Sequence, residues 1–181
     1  EASLALLYCH SGDSDLGLCA PHLAHLAASL ECHVLAPEFP GYGVCPGTST
    51  PESLNRTVRA AFTFLVRCLL IPPHRVIVYG CRLGTGPAIH IASQAAEEDL
   101  ACGALVLQTP FLSLSRLVSN LADVAVISAL TDVVFEGWDN AIRLTRVTCP
   151  LLVLHGEDDP VFPPAESQHL CDVCPATRKE T

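Results

Sequence analysis

A chain of 181 residues, half of them apolar, is long enough to bury one sizeable core. Its formal net charge of −9 argues against nucleic acid: only ten Lys and Arg are spread along it, where a phosphate-binding face needs them clustered, and the acidity is read as serving solubility. No apolar run approaches the roughly 18 residues that span a bilayer and no signal peptide is visible, so a cytoplasmic protein is expected, membrane-peripheral only through a segment ahead of this Met-free chain.

The first strand-like run, Leu4 to His10, is followed by a helical stretch, Leu16 to Leu30, and a second run, His33 to Phe39. A helix over Pro51 to Leu70 opens well: Ser49 and Thr50 are candidate caps, Pro51 suits the first turn, and Val58, Ala61, Phe62, Leu65 and Leu69 recur at helical spacing. Strand Val76 to Tyr79, helix Leu83 to Ala96, strand Ala104 to Gln108, strand Leu151 to His155 and helix Pro164 to Val173 complete the series. The strand-like runs are continuous rather than alternating, as expected where a sheet is covered on both faces. The β-α alternation predicts one α/β domain over residues 1–181, with a mostly parallel sheet and ligands at the carboxyl ends of the strands. Residues 111–149 break the rhythm between Pro110 and Pro150, and are expected to form a helical insertion or lid.

Cys9, Cys32, Cys81 and Cys102 lie in or beside apolar runs, which makes the cysteines small core residues rather than a disulfide framework. Cys171-x-x-Cys174 lacks a second pair to complete a zinc site, and His22 and His25 lack a third ligand, so no metal and no cofactor are expected.

The segment Arg75-Val-Ile-Val-Tyr-Gly80-Cys81-Arg82-Leu83-Gly84-Thr85-Gly86 has the outline of a nucleophile elbow: an apolar β-branched run, a turn flanked by glycines, and a helix start. The middle of its Gly80-x-Arg82-x-Gly84 frame is occupied by arginine, which stays protonated and offers donors but no lone pair. Cys81 beside it occupies a position whose side chain points away from the site, where an apolar environment keeps the thiol protonated.

Four segments taken together carry a resemblance. Tyr8-Cys9-His10-Ser11-Gly12-Asp13, then Ala36-Pro37-Glu38-Phe39-Pro40-Gly41-Tyr42-Gly43, then the elbow, then His155-Gly156-Glu157-Asp158-Asp159-Pro160-Val161-Phe162-Pro163 resemble, in order and spacing, the α/β-hydrolase superfamily. Within it they are similar to the alpha/beta hydrolase domain proteins of the acyl-protein depalmitoylase and serine peptidase-like group. The resemblance implies a three-layer α/β-hydrolase sandwich, incomplete at both termini. It implies that backbone N–H groups of the turn at Ser11 and Gly12, together with that of Leu83, form an oxyanion hole, and that Asp159 holds the position of the triad acid. Glu157, Asp158 and Asp159 before Pro160 also make good turn chemistry, which is the plainer reading of that cluster.

Two departures stand against these matches. Arg82 takes the nucleophile position, and the chain stops before the place where the family carries its histidine; His169 falls inside a helix-like segment and is read as a surface or packing residue. For Arg82 two arrangements remain open, a charge pair with Asp159 across the pocket or a side chain that snorkels into solvent. A single base change from a Ser codon is a third account. The expected function is that of a hydrolase-family domain without its nucleophile, binding a small acyl or peptide-like ligand or a partner protein. The alternative is an active enzyme that cleaves esters, thioesters or peptides, if the intact gene encodes Ser at position 82.

Overall fold

The computed structural model describes residues 4–121, 137–159 and 161–180. Among the described residues six strands form one fully parallel sheet in the order β2-β1-β3-β4-β5-β6. β1 (Ala5–Cys9) is buried along its whole length, as its unbroken apolar run requires of a strand flanked by β2 (His33–Leu35) and β3 (Val76–Cys81). β4 (Ala104–Gln108), β5 (Leu151–Leu154) and β6 (Lys179–Glu180) extend the sheet to the other edge.

Alternate residues of β1 sort the two faces. Ala5, Leu7 and Cys9 enter one core with Val76, Val78, Leu105, Leu107 and the inner faces of α2 (Pro51–Thr63) and α3 (Thr85–Glu97). Tyr8 points the other way, where its ring meets His22 of α1 (Leu16–Leu30) at 5.9 Å. Two short helices, α4 (Leu114–Leu121) and α5 (Asn140–Leu144), flank the segment 122–136, and α6 (Pro164–Val173) packs on α5 and β5. Of the expected lid over 111–149, the segment 122–136 falls outside the described residues, and the described remainder carries α4 and α5.

Local sequence explains most boundaries. Thr50 caps α2: its hydroxyl accepts from the Ser53 N–H at 3.1 Å while the Thr50 N–H donates to the Ser53 hydroxyl at 2.9 Å, a capping box closed by serine instead of the usual glutamate. α2 ends earlier than its apolar spacing predicted, passing at Phe64–Cys68 into a π-helical turn that stops short of Leu70, whose φ is +56°. β2 covers only His33–Leu35 and not the run to Phe39, because Pro37 and Pro40 cannot donate to a ladder. β3 runs on to Cys81, and the following helix starts at Thr85 rather than Leu83, since Arg82–Gly84 form a separate 3₁₀ turn. β6 went unforeseen; two exposed charged residues carry no strand pattern, and only pairing with β5 makes them one.

All ten cysteines carry free thiols. Cys102 Sγ and Cys149 Sγ approach to 3.4 Å, well beyond the roughly 2.05 Å of a bond. No helix among the described residues is long and apolar enough to cross a membrane.

Candidate active site at the turn after the third strand

The parallel register sets Cys9 beside Gly80 and Cys81 beside Gln108, so the turns that leave β1, β3 and β4 emerge side by side at one edge of the sheet. Arg82 stands at the apex of the middle turn with φ +49°, a left-handed conformation that costs a non-glycine residue of order 1 kcal/mol or more. Its two flanking glycines are there for space. A Cβ on Gly80 would come within 2.6 Å of Thr85 Cα, and one on Gly84 within 2.2 Å of the Cys9 carbonyl. The turn is therefore wedged between its own helix and the end of β1. Gly12, in the turn after β1, faces Leu83: a Cβ there would lie 3.0 Å from Leu83 Cδ2. The two turns expected to supply oxyanion donors are thus in contact, with Ser11 beside them at 8% exposure.

Arg82 does not reach freely into solvent. Its Nη2 lies 3.4 Å from Asp159 Oδ2, its guanidinium carbon sits 5.3 Å from the centre of the Phe162 ring, and its side chain is 39% exposed. Of the two arrangements open in the sequence, pairing is the one adopted. A partly exposed pair at this distance contributes little to stability, about 0–1 kcal/mol.

Asp159 is held from the other side. Its Oδ1 accepts from the Val161 and Phe162 N–H groups at 2.9 and 2.8 Å, the signature of an Asx turn. Burial acts to raise its pKa, but those two backbone donors, with Arg82 and His155 adding, outweigh it and hold the carboxyl below its ordinary value of 3.8. A depressed folded-state pKa gives stability that is present above the unfolded value and fades as pH falls through it. Asp159→Asn, which keeps the shape and removes the charge, is therefore expected to destabilise the protein at neutral pH and to converge on the parent in acid. Urea midpoints at neutral pH and below pH 3.8 check this, and a difference that does not change with pH contradicts it.

His155 opens this loop but does not turn toward Arg82. Its Nε2 donates to the Phe162 carbonyl at 2.8 Å and its Nδ1 accepts from the Ser167 hydroxyl at 2.5 Å, so both ring nitrogens are spent tying the acid loop to α6. His169 is exposed on α6, as its place in the helix predicted. Cys81 projects to the α1 side of the sheet, where burial raises its thiol pKa and the neighbouring Tyr8 and Arg82 oppose the rise only in part. None of the three supplies a base or nucleophile at the apex.

Three contributors were not foreseen. Glu38 Oε1 lies 3.0 Å from Nε2 of the fully buried His10 without a hydrogen bond between them. Its Oε2 accepts from the Leu16 N–H at 3.0 Å, so Glu38 ties the β1 turn to the start of α1. Asp13 accepts from the Ser11 hydroxyl, which, with Arg82 adding, lowers its pKa against the cost of burial. Phe162 is the floor for Arg82. The one available hint was Glu38, an acid set among apolar residues after β2. Around it the Gly41-Tyr42-Gly43 loop packs: Tyr42 meets the His10 ring edge-on at 5.2 Å.

Comparison with known proteins follows the same outline. No protein-family model matches the chain. The alpha/beta hydrolase domain-containing protein aho-3 of Caenorhabditis elegans is 33% identical over 177 residues, which cover 98% of this chain and 50% of that protein. Alpha/beta hydrolase domain-containing protein 17C of Mus musculus is 27% identical over 170 residues, 94% of this chain and 49% of that one. The chain thus spans about half the length of these curated relatives. Among solved structures, an alpha-beta hydrolase from Vibrio vulnificus superposes with a TM-score of 0.80 at 20% identity, covering 98% of this chain and 66% of that one. A monoacylglycerol lipase from Paleococcus ferrophilus superposes with a TM-score of 0.71 at 17% identity, covering 97% and 82%. At that identity the likeness concerns the fold alone.

Proposed function

We propose, for a chain that belongs to the α/β-hydrolase superfamily, that it is a catalytically impaired member whose Arg82 takes the nucleophile's place. On this reading it acts by holding a small acyl or peptide-like ligand, or a partner protein, above the turn. The observation that carries the reading is the Arg82 guanidinium at the apex, 3.4 Å from the Asp159 carboxylate. A guanidinium cannot attack a carbonyl, and it occupies Asp159, whose task in a triad is to orient a histidine. Losing the serine of such a triad costs roughly a millionfold in turnover, leaving only the modest help of oxyanion donors and binding. Ser11, Gly12 and Leu83 would then serve as donors to a ligand's carbonyl or carboxylate oxygen rather than to a tetrahedral intermediate.

A second reading rests on what is kept. The flanking glycines, the contact of Gly12 with Leu83 and the backbone-held Asp159 all suit acyl transfer. With serine at position 82 the same frame would support cleavage of esters, thioesters as in depalmitoylation, or peptides. A fluorophosphonate probe on the full-length protein separates the two: a chain carrying Arg82 stays unlabelled, and mass-mapped labelling at any residue of the 80–86 turn would overturn the inactive reading.

A further inference from the structure

About 12 Å along α3 from the Arg82 turn, at roughly 1.5 Å per residue, a groove of about 380 Å³ opens between α2, α3 and α5. Arg56, Arg59 and Arg143 line it, with the carboxylate Glu52, His90, Gln94 and Trp138. Three guanidiniums in one recess are notable on a chain of net charge −9.

Two of the three are balanced. Arg56 lies 3.7 Å from Glu52, and Arg59 bonds Glu98 at 2.9 Å and Gln94 at 3.0 Å, which also fixes its guanidinium at the groove wall. The Arg143 side chain has neither an ion pair nor a hydrogen bond among the described residues. Beside it the ring of His90 also lines the groove. Burial first, with Arg143 and then Arg59 adding, pushes the His90 pKa down to about 4, so the ring shares its space with both guanidiniums. The recess therefore combines an unbalanced cation, a second guanidinium preset by its own hydrogen bonds, and the ring of His90 between them.

We propose that this groove is a second ligand site, distinct from the Arg82 turn, that takes a phosphomonoester group. A phosphoryl group offers three terminal oxygens, enough to meet Arg143, Arg59 or Arg56, and His90 together, whereas a carboxylate offers two. The acidic remainder of the surface repels a polyanion, which fits a single phosphoryl group better than a nucleic acid backbone. Trp138, fixed by its Nε1–H donating to Asn55 Oδ1 at 2.8 Å, gives the site an apolar wall for the ligand's carbon part.

The test is calorimetric titration of the full-length protein with glycerol 3-phosphate, in parallel with sedimentation on phosphatidylcholine vesicles with and without phosphatidic acid. Saturable binding that Arg143→Gln weakens at least about tenfold, with an unchanged thermal midpoint, is the expected result. Binding of the soluble ester assigns a free metabolite; binding only of phosphatidic acid vesicles, lost in Arg143→Gln, assigns a lipid headgroup. If Arg143→Gln lowers the thermal midpoint, His90→Gln is read instead. The proposal is overturned if neither probe binds, if binding ignores both variants, or if acetate binds as tightly as the phosphate ester.

Discussion

Gly84→Ala is expected to cost about 3–5 kcal/mol of folding stability, a large fraction of the roughly 5–15 kcal/mol a domain possesses. The cause is space and not backbone freedom, for Gly84 has an ordinary φ of −63°. A Cβ at this position would lie 2.2 Å from the Cys9 carbonyl oxygen and 2.5 Å from that of His10. Neither oxygen can retreat cheaply. Cys9 is fully buried at the end of β1 and paired with Gly80 of β3, and the His10 ring is fully buried against Phe39 at 4.1 Å. The helix could move only by breaking its packing on β3, against which Gly80 already touches Thr85 and Ala88. Gly156→Ala is the control, since nothing lies within 4 Å of the added methyl. Urea unfolding of the three proteins decides the matter, and a Gly84→Ala midpoint within about 1 kcal/mol of the parent would sink the argument.

That steric wedge explains why the turn was the most legible part of the chain. A glycine on each side of the apex has a local cause, the crossing of a strand end and a helix start, and local causes leave local spacing. The same holds for Asp159, whose Oδ1 is satisfied by the N–H groups two and three residues on, and for the Thr50–Ser53 cap. The continuous apolar runs announced buried parallel strands because burial on both faces removes the alternation. Contributors that act across the fold left no such trace. Glu38 reaches back to Leu16 and His10, and Arg82 meets an Asp159 that lies 77 positions away in sequence. For Arg82 the residue types allowed pairing or solvent equally, and the packing of Phe162 under the guanidinium settled which. β6 was illegible for the opposite reason: its strand character comes entirely from its neighbour.

Glu166 is the strongest instance of a distant contributor, and its removal should be the second costliest single change. The sequence places it in the first turn of an amphipathic helix, where a glutamate is usually solvated and favoured by the helix dipole. Instead it is only 4% exposed, accepting from the Leu112 N–H at 2.9 Å and from Arg116 Nε at 3.1 Å. Its neighbour Ser167 holds His155, which in turn holds the Phe162 carbonyl. Two successive residues of α6 therefore brace both the segment that follows β4 and the loop that carries Asp159. Glu166→Ala would strip the Leu112 amide and the Arg116 guanidinium of a common acceptor, at a cost of about 2–4 kcal/mol. Glu166→Gln keeps an acceptor oxygen without the charge and should lose about half as much. Because the brace ends at the acid loop, the alanine variant should also broaden or shift the amide resonances of Val161 and Phe162, which donate to Asp159. A loss under about 0.5 kcal/mol, or an acid loop indifferent to the change, would show that α6 is merely adjacent to the site.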